Sequence, residues 1–275
     1  MIRVILSDHN GTPSHLADHL SVGFTYSARF NGAPRNSFPQ VLPLGFQNTR
    51  ASLIGQGVVV NFEDISKDVL HAPNHKVYID PKCPLAHPFY PPLLDTEIAV
   101  RQDVLEGVSI QASEILKPSE ESCLRWAKKH YPDNIEIIVQ GLYSYLLGLS
   151  RAWGSHILSV ADVLEGAIST DTPIFIEGAL NATSVSRGLG IALPKHSVVI
   201  GVLRVSEILV AENFLRQENF EWCYVSNTLP ATISYMGSYL CSFSIGNEKD
   251  FLRQITEILC TPCYFLTRQG EEISP

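Results

Sequence analysis

The chain has 275 residues, 45% hydrophobic and 17% charged, with 18 glycines and 17 prolines. That much apolar surface offsets the entropy of ordering the chain and excludes disordered, collagen-like and coiled-coil architectures. Twenty Lys and Arg against 28 Asp and Glu leave a formal charge of −8. Such a field repels phosphate polymers and anionic lipid, so neither nucleic acid nor membrane is an expected partner.

Residues 2–7 form a short apolar run that reads as a strand, followed by the polar, glycine-containing turn 8–14 and a helix-like segment over 15–20. A loop at the carboxyl end of a first strand is a common ligand site in α/β proteins. The opening run is too short, and turns polar too early, for a signal peptide. Residues 23–30, 52–61 and 77–80 read as strands, with Val58-Val59-Val60 the clearest buried run. The pattern turns helical over 93–114. Pro118-Ser119-Glu120-Glu121 then opens a helix over 119–130, with acids in its first turn. Helical segments continue over 135–149 and 156–168, where the leucine-rich stretch 142–149 suits a buried or oligomer-facing helix. Residues 174–178 and 198–205 are core strands, and 258–267 has mixed strand character. These elements predict one α/β domain over residues 1–275, built around a mostly parallel central sheet.

No stretch reaches the ~18 uninterrupted apolar residues of a membrane span, and a cytoplasmic location is expected. Six scattered cysteines do not resemble a disulfide framework. Cys260-Thr261-Pro262-Cys263 has no second pair to complete a zinc site, so buried thiols are expected. His15 and His19, at i and i+4, have metal-binding geometry but no third ligand at a recognisable spacing, and are read as exposed helix histidines. Trp126, Trp153 and Trp222 are read as core anchors in helix-like or irregular segments. Arg29, Arg35, Arg187, Arg204 and Arg268 are the candidates for a phosphate pocket, because guanidinium matches phosphate bidentately.

The order of several further motifs resembles the adenylosuccinate synthetase family. Arg29-Phe30-Asn31-Gly32, Leu42-Pro43-Leu44-Gly45-Phe46 and Ile54-Gly55-Gln56-Gly57-Val58-Val59-Val60 are similar to the family's RxxGGxNAGH, LPSG and IGNGVVxD segments. Phe175-Ile176-Glu177-Gly178-Ala179 is similar to its FEGAQG strand end, and Gly188-Leu189-Gly190-Ile191 with Val199-Ile200-Gly201-Val202 to its TGLGI and VIGVxK pair. The likeness runs in order along nearly the whole chain. It implies a reduced synthetase fold that binds a purine nucleotide and joins to it an amino acid such as aspartate, with nucleoside-triphosphate hydrolysis, in a homodimer.

By this resemblance Asp8 is the catalytic base and Mg2+ ligand; His9, adjoining it, is a candidate proton donor, with a solvated loop histidine as the alternative. Gly11, Thr12, Asn31, Gly32, Arg35, Asn181, Ser184 and Arg187 are then the nucleotide-binding residues. Asp8 also suits a turn or helix cap, and Glu177 a carboxylate capping the next turn. The chain departs from the family where its chemistry is concentrated. The first loop reads Ser7-Asp8-His9-Asn10-Gly11-Thr12-Pro13-Ser14 and lacks both family lysines, and Phe38 stands where the family has its proton-donating histidine. The family's glycine-rich nucleotide loop and arginine-rich substrate loop are not found. The alternative is therefore a catalytically inactive pseudoenzyme serving as a nucleotide-binding or protein-interaction module.

Overall fold

A computed structural model describes residues 3–7, 11–31, 41–70, 72–90, 96–177, 193–202, 221–225, 241–242, 265–266 and 272–273. The chain is divided into two compact units, one of residues 1–28, 44–50 and 164–275, the other of 29–43 and 51–163.

The first unit is an α/β arrangement on a mostly parallel sheet. Strand β1 (Arg3–Ser7) leads into helix α1 (Gly11–Leu20), and strand β2 (Tyr26–Asn31) crosses the boundary between the two residue sets. Later in the chain come β5 (Ile174–Glu177), β6 (Val198–Val202), β7 (Glu221–Val225) and β8 (Cys241–Ser242). Strands β5, β6, β1 and β7 pair in that order, all parallel, and β8 pairs antiparallel with β7. A two-stranded antiparallel pair, β9 (Phe265–Leu266) with β10 (Glu272–Ile273), completes the unit's described strands. Ile174, Phe175 and Ile176 in β5 are all fully buried, as are Val199 and Ile200 in β6. Neighbouring residues of a strand point to opposite faces, so this sheet is covered on both sides, as parallel sheets require.

The second unit carries β3 (Ala51–Gly57) parallel to β4 (Lys76–Ile79), with helix α2 (Phe62–Leu70) between them. Its helical part comprises α3 (Thr96–Leu105), α4 (Ser113–Leu116), α5 (Glu120–His130) and α6 (Ile135–Trp153). Helix α7 (Val160–Ser169) runs across the boundary residue 164. Trp126 is fully buried on α5, and Leu142 and Leu146 are the buried residues of α6. Ser119 caps α5 by accepting from the Ser122 amide at 3.3 Å, the N-terminal signal that its sequence announces.

Several boundaries differ from expectation for local reasons. Helix α1 begins at Gly11, four residues before the predicted start, because Pro13 falls in the first turn, where a missing N–H costs nothing. Helix α2 was not anticipated; Asn61 initiates it by accepting from the Glu63 amide at 3.0 Å. The expected strand over 52–61 ends at Gly57, and Val60 pairs further only through an isolated bridge to Leu85. The expected helix over 93–114 is two separate helices, because Gln111 leaves helical geometry to bridge Pro84 and the Ala112 amide donates to the Cys83 carbonyl at 2.8 Å. Trp222 lies in a strand, β7, rather than in a helical or irregular segment. Among the described residues, no helix is long and apolar enough to cross a membrane.

Candidate functional site

The parallel registers of the first unit align the carboxyl ends of its central strands. Ser7, the last residue of β1, is paired with Val202 at the end of β6 and with Val225 at the end of β7, while Glu177 closes β5 opposite Ile200. The chain segments that follow these strands therefore leave from one edge of the sheet, with β1 between β6 and β7. Asp8 is the next residue after β1, and three residues, 8–10, separate that strand from α1. Gly11 and Thr12 are the first two residues of α1, and no acidic residue occupies its first turn. The first-turn amides of a helix lack intrahelical acceptors, which makes such an end favourable to anions.

The edge is braced by the Leu44–Asn48 stretch. The Leu44 amide donates to Oε2 of Glu177 at 2.8 Å, and Glu177 is only 9% exposed. The Glu177 carboxylate thus satisfies a turn amide, the capping role weighed for it above. Gly45 adopts φ 71°, and a Cβ there would lie 2.5 Å from Ser21 Oγ and 2.9 Å from the Ala17 carbonyl oxygen. Only glycine accepts both that backbone and that close approach. The following 3-10 turn, Phe46–Asn48, is fastened to the end of α1 by Asn48 Nδ2, which donates to the Asp18 carbonyl at 2.6 Å and contacts Ser21 Oγ at 3.1 Å.

Asp8, His9, Gly32, Arg35, Asn181, Ser184 and Arg187 lie outside the described residues. Asn31 is the last residue of β2. Arg29 is 5% exposed, with Nη1 3.5 Å from the Val41 carbonyl, so it is held within the second unit. His19 is exposed on α1, and among the described residues no three His, Cys, Asp or Glu side chains converge to hold a metal ion. Cys83 and Cys123 are free and buried, while Cys260 and Cys263 lie outside the described residues. Burial, with the Asp80 charge adding to it, pushes the Cys83 thiol well above its ordinary range, and burial raises Cys123 to about 11. Neither is an activated nucleophile at neutral pH.

A second polar cluster, in the other unit, escaped sequence reasoning. Asp103 on α3 is 1% exposed, and its carboxylate accepts from Tyr90 Oη at 3.0 Å, Trp126 Nε1 at 3.1 Å and Lys129 Nζ at 2.6 Å. His130 Nε2 lies 3.0 Å from Oδ2. Burial alone would raise the Asp103 pKa. Hydrogen bonds from Lys129 and Tyr90, and the charges of His130 and Lys129, outweigh it and hold the carboxyl below its usual value. Lys129 also pairs with Glu106. The cluster joins α3 to α5, and its carboxylate is saturated with donors and shielded from solvent, so it serves as a strut rather than as a reaction centre.

His87 packs against this strut. Its ring lies 4.4 Å from those of Tyr90 and Trp126, it is 5% exposed, and neither ring nitrogen has a hydrogen-bond partner among the described residues. Burial lowers its pKa to about 3, so the imidazole is neutral at physiological pH. The i, i+4 pairing of Trp126 with His130, stacked at 4.6 Å, was legible from α5 alone, but their acceptor 23 or more residues upstream was not. The chain matches no family model and no curated protein.

Proposed function

We propose that this chain is a shortened, divergent adenylosuccinate-synthetase-like protein that binds a purine nucleotide at the carboxyl edge of the first unit's sheet. The observation that supports this reading most is the alignment of four parallel strand ends, with β1 between β6 and β7 and entering α1 after only three residues. Open parallel sheets bind nucleotides at that edge, and in chain order Asp8 directly follows β1, Gly11 and Thr12 open α1, and Asn181, Ser184 and Arg187 come after β5.

In this reading the Asp8 carboxylate takes the purine's ring proton while the carbonyl oxygen accepts the terminal phosphoryl group of the triphosphate, the amino acid's nitrogen then displaces that oxygen as phosphate, and Gly11 and Thr12 lie against phosphate. Mg2+ belongs to the proposal through Asp8 alone. A cytoplasmic homodimer accompanies it. Loss of a proton-transfer group costs roughly 10²- to 10⁴-fold in rate, so with Phe38 at the family's histidine position the ligation is slow. The pseudoenzyme reading is favoured by the absence of both loop lysines and by Phe38 at the family's histidine position.

A thermal-shift panel of IMP, GMP, dGMP, AMP, GTP and ATP, with and without Mg2+ and aspartate, tests the proposal, with product analysis by mass spectrometry in the same wells. A ligand at a hundred times its Kd stabilises by about 2.7 kcal/mol, which a melting curve resolves. Stabilisation with a nucleotide–amino acid adduct establishes the ligase, and stabilisation alone the binding module. No shift with any nucleotide refutes both. In the ligase case Asp8→Ala abolishes the adduct with little change in Tm, whereas a large loss of Tm assigns Asp8 to capping.

A further inference from the structure

Helix α6 is far more apolar than its burial requires. Across its 19 residues only Glu136 and Arg151 are charged, yet only Leu142 and Leu146 are buried, while Ile137 is 73% and Leu147 37% exposed. Between α6 and α5, within the second unit, lies an open groove of about 720 Å³. Half-buried Leu124, Val139 and Tyr143 supply its apolar lining, and exposed Glu120, Glu121 and Glu136 its charge. No lysine or arginine lines the groove, and among the described residues none of the three glutamates is in an ion pair. Their places in the first turns of α5 and α6 favour the helix dipoles. That role does not account for the uncovered apolar surface between them.

We infer that this groove docks an amphipathic, basic helix of a partner protein, whose apolar stripe covers Leu124, Val139 and Tyr143 while flanking Lys or Arg side chains meet the three glutamates. Such a helix laid in an apolar groove is a recurrent mode of recognition, read as anchors at i, i+4 and i+7. The α6 stretch that lines the groove, Ile135 to Ser144, spans roughly 13 Å at 1.5 Å per residue, enough for those three anchors. Charge decides the occupant. A second copy of this chain, with a formal charge of −8, would oppose the same glutamates to one another, and an anionic lipid surface would be repelled.

The probe is a fluorescein-labelled 14-residue peptide with leucines on one helical face and lysines flanking them, read by fluorescence anisotropy against the full chain. A peptide with glutamate in place of lysine is the control. The basic peptide is expected to bind and the acidic one not. Three exposed ion pairs together are worth about tenfold in affinity, so E120Q/E121Q/E136Q should weaken binding by about that factor, and 0.5 M salt should do the same. The variant D162N/E165Q, which removes two exposed charges elsewhere, should bind like wild type. Val139→Asp should abolish binding with an unchanged circular dichroism spectrum. Equal binding of both peptides, or undiminished binding by the triple variant, overturns the inference. So does a dimer in light scattering that Val139→Asp dissociates, because the groove is then an interface between copies.

Discussion

Replacing Asp103 by alanine removes the acceptor shared by Tyr90, Trp126, Lys129 and His130. Lys129 keeps Glu106 as a partner, and His130 is half-buried and can reach water. Tyr90 Oη and Trp126 Nε1 cannot, because Tyr90 is 6% exposed and Trp126 wholly buried. Leaving a buried donor unpaired costs about 1–3 kcal/mol, so the two donors together imply a loss of about 2–6 kcal/mol, a span that contains the roughly 3–5 kcal/mol found when one partner of a buried charge pair is removed. Urea unfolding at pH 7 measures it, followed by the fluorescence of Trp126 after Trp153 and Trp222 are changed to Phe. Wild-type and variant chains should show the same m value and a lower midpoint for Asp103→Ala. Tyr90→Phe in the same background should cost less, and the double variant should cost less than the sum of the two, since both remove one bond. A loss under about 1 kcal/mol for Asp103→Ala would refute the view that the carboxylate is a buried strut.

His87 leads to two further expectations. Its pKa of about 3 lies below its ordinary value of 6.5, so between those limits the unfolded chain binds one more proton than the folded one. The stability it contributes is complete above pH 6.5 and falls with decreasing pH by up to ~1.4 kcal/mol per unit. Asp103, also held below its ordinary value, adds a loss of the same sign that sets in at lower pH. Denaturation midpoints from pH 7.5 to 4.5 measure the slope. His87→Phe removes two buried nitrogens that have no partner among the described residues, while keeping an aromatic ring against Tyr90 and Trp126. It should leave stability unchanged or raise it by about 1 kcal/mol and flatten the pH 6.5–4.5 slope; a loss above 1 kcal/mol would show that those nitrogens have partners. Gly45→Ala should cost about 1–3 kcal/mol through its left-handed backbone and the clash with Ser21 and Ala17, read as a drop in Tm. If the braced edge holds nucleotide, the same variant should weaken nucleotide stabilisation.

What was legible in the sequence is what short-range physics decides. Helix α5 announces itself through Ser119 and the acids that follow it, because a cap and a first turn are local interactions. The middle strands of the first unit announce themselves through runs such as Ile174-Phe175-Ile176 and Val198-Val199-Ile200, because a strand covered on both faces must be apolar throughout. The α/β class with a mostly parallel sheet follows from those runs and their spacing. Strand β7 was not legible: Glu221-Trp222-Cys223-Tyr224-Val225 becomes a strand by pairing with β1, more than 200 residues earlier. The same holds for the candidate site. Motif order pointed to Asp8, Gly11 and Glu177, but only the register of β5, β6, β1 and β7 brings their strand ends to one edge, and only folding turns Glu177 towards the Leu44 amide. The Asp103 strut is the extreme case, since its acceptor and donors lie 13 to 27 residues apart on separate elements. A charge, two rings and two bases at those separations carry no periodic signal, and they become one cluster only when packing brings them round Asp103 and excludes water from Tyr90 and Trp126.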